Sequence, residues 1–348
     1  MSDQRLPPKP IKPRATIRDV AALAGVGIKT VSRVINDEAN VSASTRERVR
    51  HAVRTLNFQP NLGAGSLRRS NGKSYTLGLL LDAVDNPFSA AVNRAVEKVT
   101  TGRNTAVFAA SSEDDPERER ALVAAFTRRR VDGLILTMIG ADHSYLQAEL
   151  EQGTPIVFVD RPPIGVLADA VLTDNFDAAF AATQHLIRQG HRRIAHLGDE
   201  LAIATARERR RGFGEALNAA GLAGAESQHT DNLRSAPEAF AAVQRLMRSP
   251  AAPTALFTSQ NLVTIGAIRA LHQLGLEQRV AMVGFDDLVL ADVLMPGITV
   301  IAQDPARIGA IAAERLFARL DGDTAAEQTI IVPSRLITRG SGEIPPPD

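Results

Sequence analysis

The chain has 348 residues, of which 44% are hydrophobic and 23% are charged. This composition is typical of a folded globular protein and excludes wholesale disorder, and the length leaves room for two or three domains. No run of about 18 apolar residues occurs, so we expect no transmembrane helix. The absence of cysteine excludes disulfide bonds, thiolate metal sites and a thiol nucleophile.

The charge is distributed unevenly along the chain. Residues 1–72 contain 13 Lys and Arg residues against 5 Asp and Glu residues, a net charge of +8, which leaves −7 for the other 276 residues. This basic segment predicts contact with a polyanion, although charge alone is equally consistent with a solvated tail. Residues 1–14 predict a flexible N-terminal tail. They are polar and contain no secretory signal, which predicts a cytoplasmic protein.

The predicted elements begin with two short helices after residue 15. Thr16 is a suitable N-cap, and Asp19 fits the first turn of the helix that Thr16 would begin. Apolar residues recur at helical spacing until a Gly-Val-Gly turn at residues 25–27. A second helix is predicted from about Ile28 to Asn36, and a third from Ser44 to Leu56. Two short helices joined by a glycine-containing turn indicate a helix–turn–helix, whose second helix can enter a major groove.

This segment resembles the DNA-binding head of the LacI/GalR family of bacterial transcription regulators. The resemblance rests on TIRDVA and AGV, then TVSRVIN, then VS and TRERV, and finally LNFQPN. It implies a DNA-binding domain at residues 15–59 in which Ile28, Lys29 and Arg33 face the bases, and an Arg can read guanine with two hydrogen bonds. The further candidates for DNA binding, most of them on the phosphate side, are Thr16, Thr30, Ser32, Asn36, Asn40, Ser42 and Thr45.

Residues 60–72 follow as a predicted hinge helix or linker. In the family that the head resembles, this stretch becomes helical on DNA. Asn61, Ala64 and Leu67 are the matching candidates for DNA contact, with Leu67 as an apolar wedge in the minor groove. Gly63 and Gly65 each disfavour a helix by roughly 1 kcal/mol relative to Ala. We therefore expect a hinge that folds reluctantly without DNA or a dimer partner. The alternative is a plain flexible linker.

Beyond residue 72, short apolar runs alternate with amphipathic helices. Alternating strands and helices predict parallel sheets that helices cover on both faces. The predicted fold class is therefore α/β, with an all-α helix–turn–helix head followed by two lobes. The predicted strands are Tyr75–Leu81, Thr105–Ala109, Gly133–Leu136, Ile156–Val159, Ala170–Leu172, Arg193–Leu197, Ala255–Thr258, Ala281–Phe285 and Thr299–Ile301.

The body resembles the same family in several further motifs. These are VDNPF at residues 84–88, RRVDGLIL at 129–136, HRRIAHLG at 191–198, GFDD at 284–287 and QDP at 303–305. The resemblance implies a periplasmic-binding-protein-like body at residues 73–340 for effector binding and dimerisation, with a cleft between two lobes. The expected boundaries are an N-lobe at residues 73–171 and 303–332, a C-lobe at 172–300 and 333–340, and a C-terminal tail at 341–348.

Ligands of open α/β sheets bind at the carboxyl ends of strands, and several polar residues fall at such ends. The candidate effector-binding residues are Phe88, Asp160, Arg207, Arg209, Gln260, Asp286 and Gln303. Arg209 matches the arginine that grips the effector in the family. Many members of the family have an Asn-Asp pair where this chain has Gln260 and Asn261, so this chain lacks a carboxylate near the cleft. Each residue also has an ordinary structural alternative, such as a loop cap for Asp286 or a surface ion pair for Arg207.

Carboxylates and guanidinium groups form strong hydrogen bonds with hydroxyls, so we expect a sugar or sugar-like effector. A purine or an anionic metabolite is the alternative, because Phe88, Arg207 and Arg209 could bind either kind of molecule as well. His185, His191 and His196 fit no metal-site spacing, and no catalytic constellation occurs. We therefore expect no enzyme activity, no metal and no cofactor.

The expected function is ligand-responsive regulation of transcription, most often repression. A single helix–turn–helix binds DNA weakly, so a homodimer on a pseudo-palindromic operator in double-stranded DNA is expected. The C-terminal residues contain no leucine heptads, which argues against a coiled-coil tetramer. The competing interpretation is a solute-binding protein without a regulatory role, which would require an export signal and no basic head.

Overall fold

The computed structural model describes residues 15–35, 37–59, 73–222, 224 and 228–347. These residues form two compact units, one ending at Ser74 and the other beginning at Tyr75. In the described part of the chain, no helix is both long and apolar enough to span a bilayer. Some sequence predictions lie outside the described residues: the tail at 1–14, the hinge at 60–72, and Asn36, Asn61, Ala64 and Leu67.

The first unit consists of helices α1 (Ile17–Ala24), α2 (Ile28–Ile35) and α3 (Ala43–Thr55). Thr16 caps α1: its backbone N–H donates to the Asp19 carboxylate at 2.7 Å, and its hydroxyl oxygen accepts from the Asp19 N–H at 3.4 Å. Gly25 ends α1 with a φ of 62°, a left-handed conformation that glycine adopts without strain. The turn that follows allows apolar faces of all three helices to meet. The buried residues of this core are Val20, Ala21, Ala24, Val31, Val34, Val49 and Ala52.

The second unit contains two six-stranded sheets. The strands are β1 (Thr76–Leu81), β2 (Ala106–Ser111), β3 (Gly133–Leu136), β4 (Ile156–Val159), β5 (Asp169–Thr173), β6 (Ile194–Leu197), β7 (Gln228–Thr230), β8 (Ala255–Thr258), β9 (Ala281–Phe285), β10 (Thr299–Ala302), β11 (Thr329–Val332) and β12 (Arg335–Ile337). The helices that cover the sheets are Pro87–Gly102, Pro116–Arg128, Gln147–Glu151, Asn175–Arg188, Ala204–Ala219, Ala236–Met247, Asn261–Leu274 and Pro305–Leu320.

The two sheets have the same strand order. The N-lobe sheet runs β11-β5-β4-β3-β1-β2, and the C-lobe sheet runs β12-β10-β9-β8-β6-β7. All neighbouring strands are parallel except β10 and β12, which are antiparallel. The predicted α/β fold class is confirmed. Strands β7, β11 and β12 were not predicted, because they are short edge strands in which few residues are buried.

Two C-lobe helices, Asn175–Arg188 and Ala204–Ala219, approach each other closely at Gly212. A Cβ atom at position 212 would lie 2.3 Å from the carbonyl oxygen of Phe176 and 3.1 Å from the Cβ of Ala179. Only glycine fits such a separation, so the missing side chain sets the packing distance. Because Ala204–Ala219 also contains Arg209, this contact helps to position that side chain.

We predict that Gly212→Ala destabilises the protein by about 1–3 kcal/mol, because the backbone of the neighbouring helix must move. The matched control is Gly214→Ala in the same helix, where an added Cβ meets no atom within 4 Å. That change should stabilise the helix by up to about 1 kcal/mol. Urea denaturation of the three proteins tests this. Equal midpoints for the two variants would contradict the packing argument.

Candidate functional site

Helix α2 of the first unit exposes a polar and basic face. Val31 and Val34 are buried, whereas Ile28, Lys29 and Arg33 lie on the exposed side of the same helix. The guanidinium of Arg33 lies 3.6 Å from the Glu38 carboxylate, with its side chain 53% exposed. A weak, exposed ion pair of this kind leaves the arginine able to meet another anion.

Two of the predicted DNA contacts also serve as helix caps. The hydroxyl of Ser42 accepts from the Thr45 N–H at 3.3 Å and donates to the Thr45 hydroxyl at 2.9 Å, at the start of α3. The hydroxyl of Thr16 donates to the Asp19 carboxylate at 2.7 Å. Asn40 is exposed, and Thr30 and Ser32 are half-buried. Thr30 and Ser32 therefore lie on α2, Ser42 and Thr45 lie at the start of α3, and Asn40 lies in the loop between these helices.

A cleft between the two lobes of the second unit holds the candidate effector site. It lies beyond the carboxyl ends of strands from both sheets and encloses about 50 Å³ of free space. That space suits a few water molecules, each of which needs about 10–15 Å³ on this measure. The lining residues are Asp82, Asn86, Phe88, Ser89, Thr137, Asp160, Arg161, Asp199, Thr205, Arg209, Gln260, Asn261, Asp286 and Gln303.

The cleft has corresponding carboxylates in the two lobes. Asp160 directly follows β4 and Asp286 directly follows β9, the strands with equivalent places in the two sheets. Both residues have left-handed backbones, with φ of 67° and 69°. Such conformations are uncommon outside glycine and cluster at binding sites, where surrounding structure holds them. Here each backbone N–H donates to the neighbouring strand, to Val171 at 3.0 Å and to Ile301 at 2.8 Å.

Arg209 enters the cleft from the helix Ala204–Ala219 and is almost completely buried. Its Nε donates to the side-chain oxygen of Asn175 at 2.7 Å, and its Nη1 donates to the backbone carbonyl of Ser259 at 2.8 Å. The guanidinium carbon lies 3.7 Å from the centre of the Phe285 ring, a cation–π contact. These contacts fix the orientation of the planar group before any ligand arrives.

Gln303 links Asp286 in the cleft to Thr173 at the end of β5. Its amide nitrogen donates to the Asp286 carboxylate at 2.6 Å, and its amide oxygen accepts from the Thr173 hydroxyl at 2.6 Å. Burial raises the pKa of Asp286. The charge of Arg209 and the hydrogen bond from Gln303 act in the opposite direction but do not outweigh burial. Asp286 therefore has a hydrogen-bond donor in Gln303 and a stabilising positive charge in Arg209.

The N-lobe wall carries an acidic cluster around a buried arginine. Arg161 lies 3.6 Å from Asp82, 3.4 Å from Asp114 and 3.7 Å from Asp160. Burial, with the hydrogen-bonded carboxylate of Asp114 beside it, raises the pKa of Asp82 to about 7. Burial also opposes ionisation of Asp114, but Asp82, Arg161 and Arg234 outweigh it and lower the pKa of Asp114. The cluster thus holds a proton on Asp82 at mildly acidic pH.

The structure brings six of the seven candidate effector residues into the cleft and leaves Arg207 outside it. The exposed side chain of Arg207 donates instead to the backbone carbonyls of Leu201 and Ala202. Helix residues that are two positions apart in sequence are separated by about 200° around the helix axis. Arg207 therefore cannot face the cleft when Arg209 does. Among the lining residues that the sequence analysis did not select, Asp82 and Asp199 carry the plainest signal, since both follow apolar strands.

No group of three or more His, Asp or Glu side chains within the described ranges is arranged to hold a metal ion. The arrangement can instead bind a small polar molecule between two rigid walls. The molecule thus combines a helix–turn–helix unit with a second unit whose two lobes enclose a polar cleft. These features define the class of ligand-responsive DNA-binding regulators.

Comparisons with known proteins agree with this class. Residues 16–61 match the family described as bacterial regulatory proteins, lacI family, and residues 183–342 match the periplasmic binding protein-like domain. The ribose operon repressor of Escherichia coli strain K12 is 32% identical over 94% of this chain and 99% of its own length. The chain therefore belongs to the LacI family of bacterial transcription regulators.

Two solved structures extend the comparison to three dimensions. The lac repressor dimer bound to operator and the anti-inducer ONPF has a TM-score of 0.83 at 25% identity, covering 95% of this chain and 99% of that chain. The complex of the transcriptional regulator CelR with cellobiose has a TM-score of 0.69 at 31% identity, covering 94% of this chain and 100% of that chain. Both likenesses span the head and the body.

We predict that Asp82→Asn removes a pH dependence from the free energy of unfolding. Because the pKa of Asp82 is raised in the folded state to about 7, its contribution to stability is present below about pH 4 and is lost as the pH rises through 7. The asparagine variant should therefore gain stability relative to the parent protein between pH 5 and pH 8, by on the order of 2 kcal/mol.

Urea denaturation at the two pH values measures this difference. Asp177→Asn, at an exposed position of the helix Asn175–Arg188, is the control for the loss of an exposed carboxylate. A difference between Asp82→Asn and the parent protein that does not change with pH would contradict the assignment of the proton to Asp82.

Proposed function

We propose that this regulator is a repressor whose affinity for its operator is set by a small polyhydroxylated molecule bound in the cleft between the lobes. The observation that carries the proposal is the buried Arg209, fixed by two hydrogen bonds and set among carboxylates from both lobes. A ligand that touches both walls changes the balance between lobe arrangements, and by linkage its affinity and the operator affinity depend on each other.

For the first unit, we propose residues 15–59 as the DNA-binding domain and residues 60–72 as the hinge. The exposed face of α2 supports this, because Lys29 and Arg33 lie where a recognition helix would present them to a groove. Ile28 would give an apolar contact at the start of the same helix. The polar candidates Thr16, Thr30, Ser32, Asn40, Ser42 and Thr45 would fix the register on the phosphates.

For the second unit, we propose residues 73–340 as the effector-binding and dimerisation domain, with the lobe boundaries given above. Residues 1–14 would be a tail. The predicted tail at 341–348 is wrong for its first residues, because Ser341 is buried and its hydroxyl donates to the Met282 carbonyl of the C-lobe at 2.7 Å. We propose that Phe88, Asp160, Arg209, Gln260, Asp286 and Gln303 contact the effector, and that Asp82, Arg161 and Asp199 join them. A regulator with this site needs no catalysis or cofactor, and its DNA target places it in the cytoplasm.

The charge of the cleft favours a sugar over an anion. Four carboxyl groups and two guanidinium groups line it, so an added negative charge would meet net repulsion. Sugar hydroxyls can donate to carboxylates and accept from guanidinium groups. The names of the ribose operon repressor and of the complex with cellobiose agree with this class of ligand. A purine or a sugar acid is the alternative that the same experiment tests.

Exposed apolar residues in the C-lobe support a homodimer. They form the C-lobe apolar patch, which consists of Val289, Leu290, Val293 and Met295, each between 62% and 86% exposed. Contiguous apolar residues exposed on the surface of a protein commonly mark an interaction site. The lac repressor of similar fold was solved as a dimer on its operator. A two-fold dimer would place two recognition helices on one pseudo-palindrome.

A thermal-shift screen of the full chain against pentoses, hexoses, disaccharides, sugar acids and purines identifies the effector. Binding to the folded state raises the melting temperature by mass action. A neutral sugar that shifts the temperature and changes operator affinity would support the proposal. Binding by a sugar acid or purine alone would overturn the neutral-sugar assignment, and the absence of any hit would overturn the cleft as an effector site for these classes.

We predict that substitution of Arg33 impairs only operator binding, whereas substitution of Arg209 impairs only the response to the effector. Arg33→Ala should weaken operator binding at least about tenfold, since one bidentate contact with guanine is lost in each subunit, and should leave effector affinity unchanged. Arg209→Ala should abolish the effector response and leave operator binding intact. Fluorescence anisotropy with labelled operator, with and without the effector found in the screen, measures both properties.

Two controls accompany these variants. Arg188→Ala removes an exposed charge from the body and should leave operator affinity near that of the parent. Arg209→Lys keeps a buried cation but not the planar fork, so it should fold and still lose most of the effector affinity. A full effector response from either Arg209 variant would show that Arg209 does not bind the ligand.

We predict that Val289→Asp weakens the dimer by about tenfold, because it places a charge within the C-lobe apolar patch at its most exposed residue. Leu167→Asp is the matched control, at an N-lobe leucine that is 79% exposed and outside the patch. Analytical ultracentrifugation over a range of concentrations measures the dissociation constants. If both variants dimerise as the parent does, the patch is not the interface.

A further inference from the structure

One ion pair joins the two lobes at the edge of the cleft. Asp114 lies in the N-lobe, between β2 and the helix Pro116–Arg128, and Arg234 lies in the C-lobe, between β7 and the helix Ala236–Met247. The Arg234 guanidinium and the Asp114 carboxylate are 2.9 Å apart. Because the partners belong to different lobes, the pair can form only while the lobes are close together.

The N-lobe partner of this pair is held rigidly. Asp114 is mostly buried, and Arg161 contacts its carboxylate at 3.4 Å. Asp114 and the preceding Glu113 both have left-handed backbones, with φ of 53° and 54°. Surrounding contacts must maintain such a pair of conformations. The carboxylate therefore forms a fixed acceptor that faces the C-lobe.

The C-lobe partner is more exposed and has a second partner within its own lobe. The Arg234 side chain is 44% exposed, and Glu200 of its own lobe lies 3.7 Å away. When the lobes separate, Arg234 can keep Glu200 as a partner and lose only Asp114. The exchange leaves no buried charge unpaired on the C-lobe side, so the inter-lobe bond can break at modest cost.

The cleft behind this ion pair is too small for a sugar in its present arrangement. Its free space is about 50 Å³, and Asn261 donates to Asn86 across it at 2.8 Å. A water molecule needs about 10–15 Å³ on the same measure, so the space holds only a few waters, fewer than the non-hydrogen atoms of a pentose. A ligand must therefore enter through an arrangement in which the lobes stand further apart.

We propose that Arg234 is a positioning residue of the effector site: by pairing with Asp114 it holds the lobes closed and sets the fraction of molecules open to a ligand. This inference rests on the proposed function for its biological meaning, but the closure itself does not depend on which effector binds. Loss of the pair increases the open fraction, and it changes the affinity for a ligand to the extent that the ligand binds the open and closed arrangements differently.

The test is a distance measurement on the full chain without any effector. The natural sequence has no cysteine, so Ala121→Cys on the N-lobe and Arg245→Cys on the C-lobe, both exposed, accept a pair of spin labels without background. Labelled protein is diluted with unlabelled protein so that most dimers carry one labelled subunit. Double electron–electron resonance then reports the distribution of distances between the lobes.

The variants are Arg234→Met, which keeps the apolar stem without the charge, and Arg234→Lys, which restores a cation. Arg234→Met should raise the population at long distances by up to about fivefold, the range for a partly exposed ion pair. Arg234→Lys should return most of the parent distribution. Glu200→Gln is the control: it removes the other partner of Arg234 within the same lobe and should leave the closed population undiminished.

An Arg234→Met distribution identical to that of the parent would overturn the proposal, as would equal opening by Glu200→Gln. These outcomes are independent of the effector screen. If Arg234→Met opens the lobes while no compound in the screen binds, the inter-lobe ion pair stands and the proposed effector class fails. If a sugar binds but Arg234→Met changes neither the distances nor the affinity, the proposed function stands and the role of Arg234 fails.

Discussion

The common direction of the strands is the constraint on which the effector cleft depends. Within each sheet the parallel strands end at one edge, and the two sheets repeat one strand order. The polar residues that follow those strands therefore gather from distant parts of the chain. Asp160 and Asp286 arrive from different lobes in the same backbone conformation for this reason. No local feature of either segment would bring them together.

Burial makes the charges in this cleft interdependent. Arg161 lies among three carboxylates, and Arg209 is held by an amide, a backbone carbonyl and an aromatic ring. Buried ions are stable only with such partners, and each change of partner alters the free energy of the whole group. A ligand that replaces one of these contacts, or a movement that breaks the bond to Asp114, therefore acts on both lobes at once.

Much of the cleft followed from one rule, that ligand sites lie at the carboxyl ends of parallel strands. The rule selected Asp160, Asp286 and Gln303, and it applies equally to Asp82 and Asp199, which also follow strands. It could not separate Arg207 from Arg209, because both lie in the first two turns of the helix Ala204–Ala219 and only the helix orientation decides which one faces inward. The rule did not select Arg161, because its neighbours Asp82 and Asp114 come from other parts of the chain.

The sequence alone determined the local elements, since helix caps, the Gly-Val-Gly turn and apolar periodicity are properties of neighbouring residues. It also determined the fold class and the family, because their motifs are contiguous. The tertiary structure decided which side chains share the cleft, that the pKa of Asp82 is raised, and which ion pair spans the lobes. These depend on distances between residues far apart in the chain, which only the packing of two sheets brings within reach.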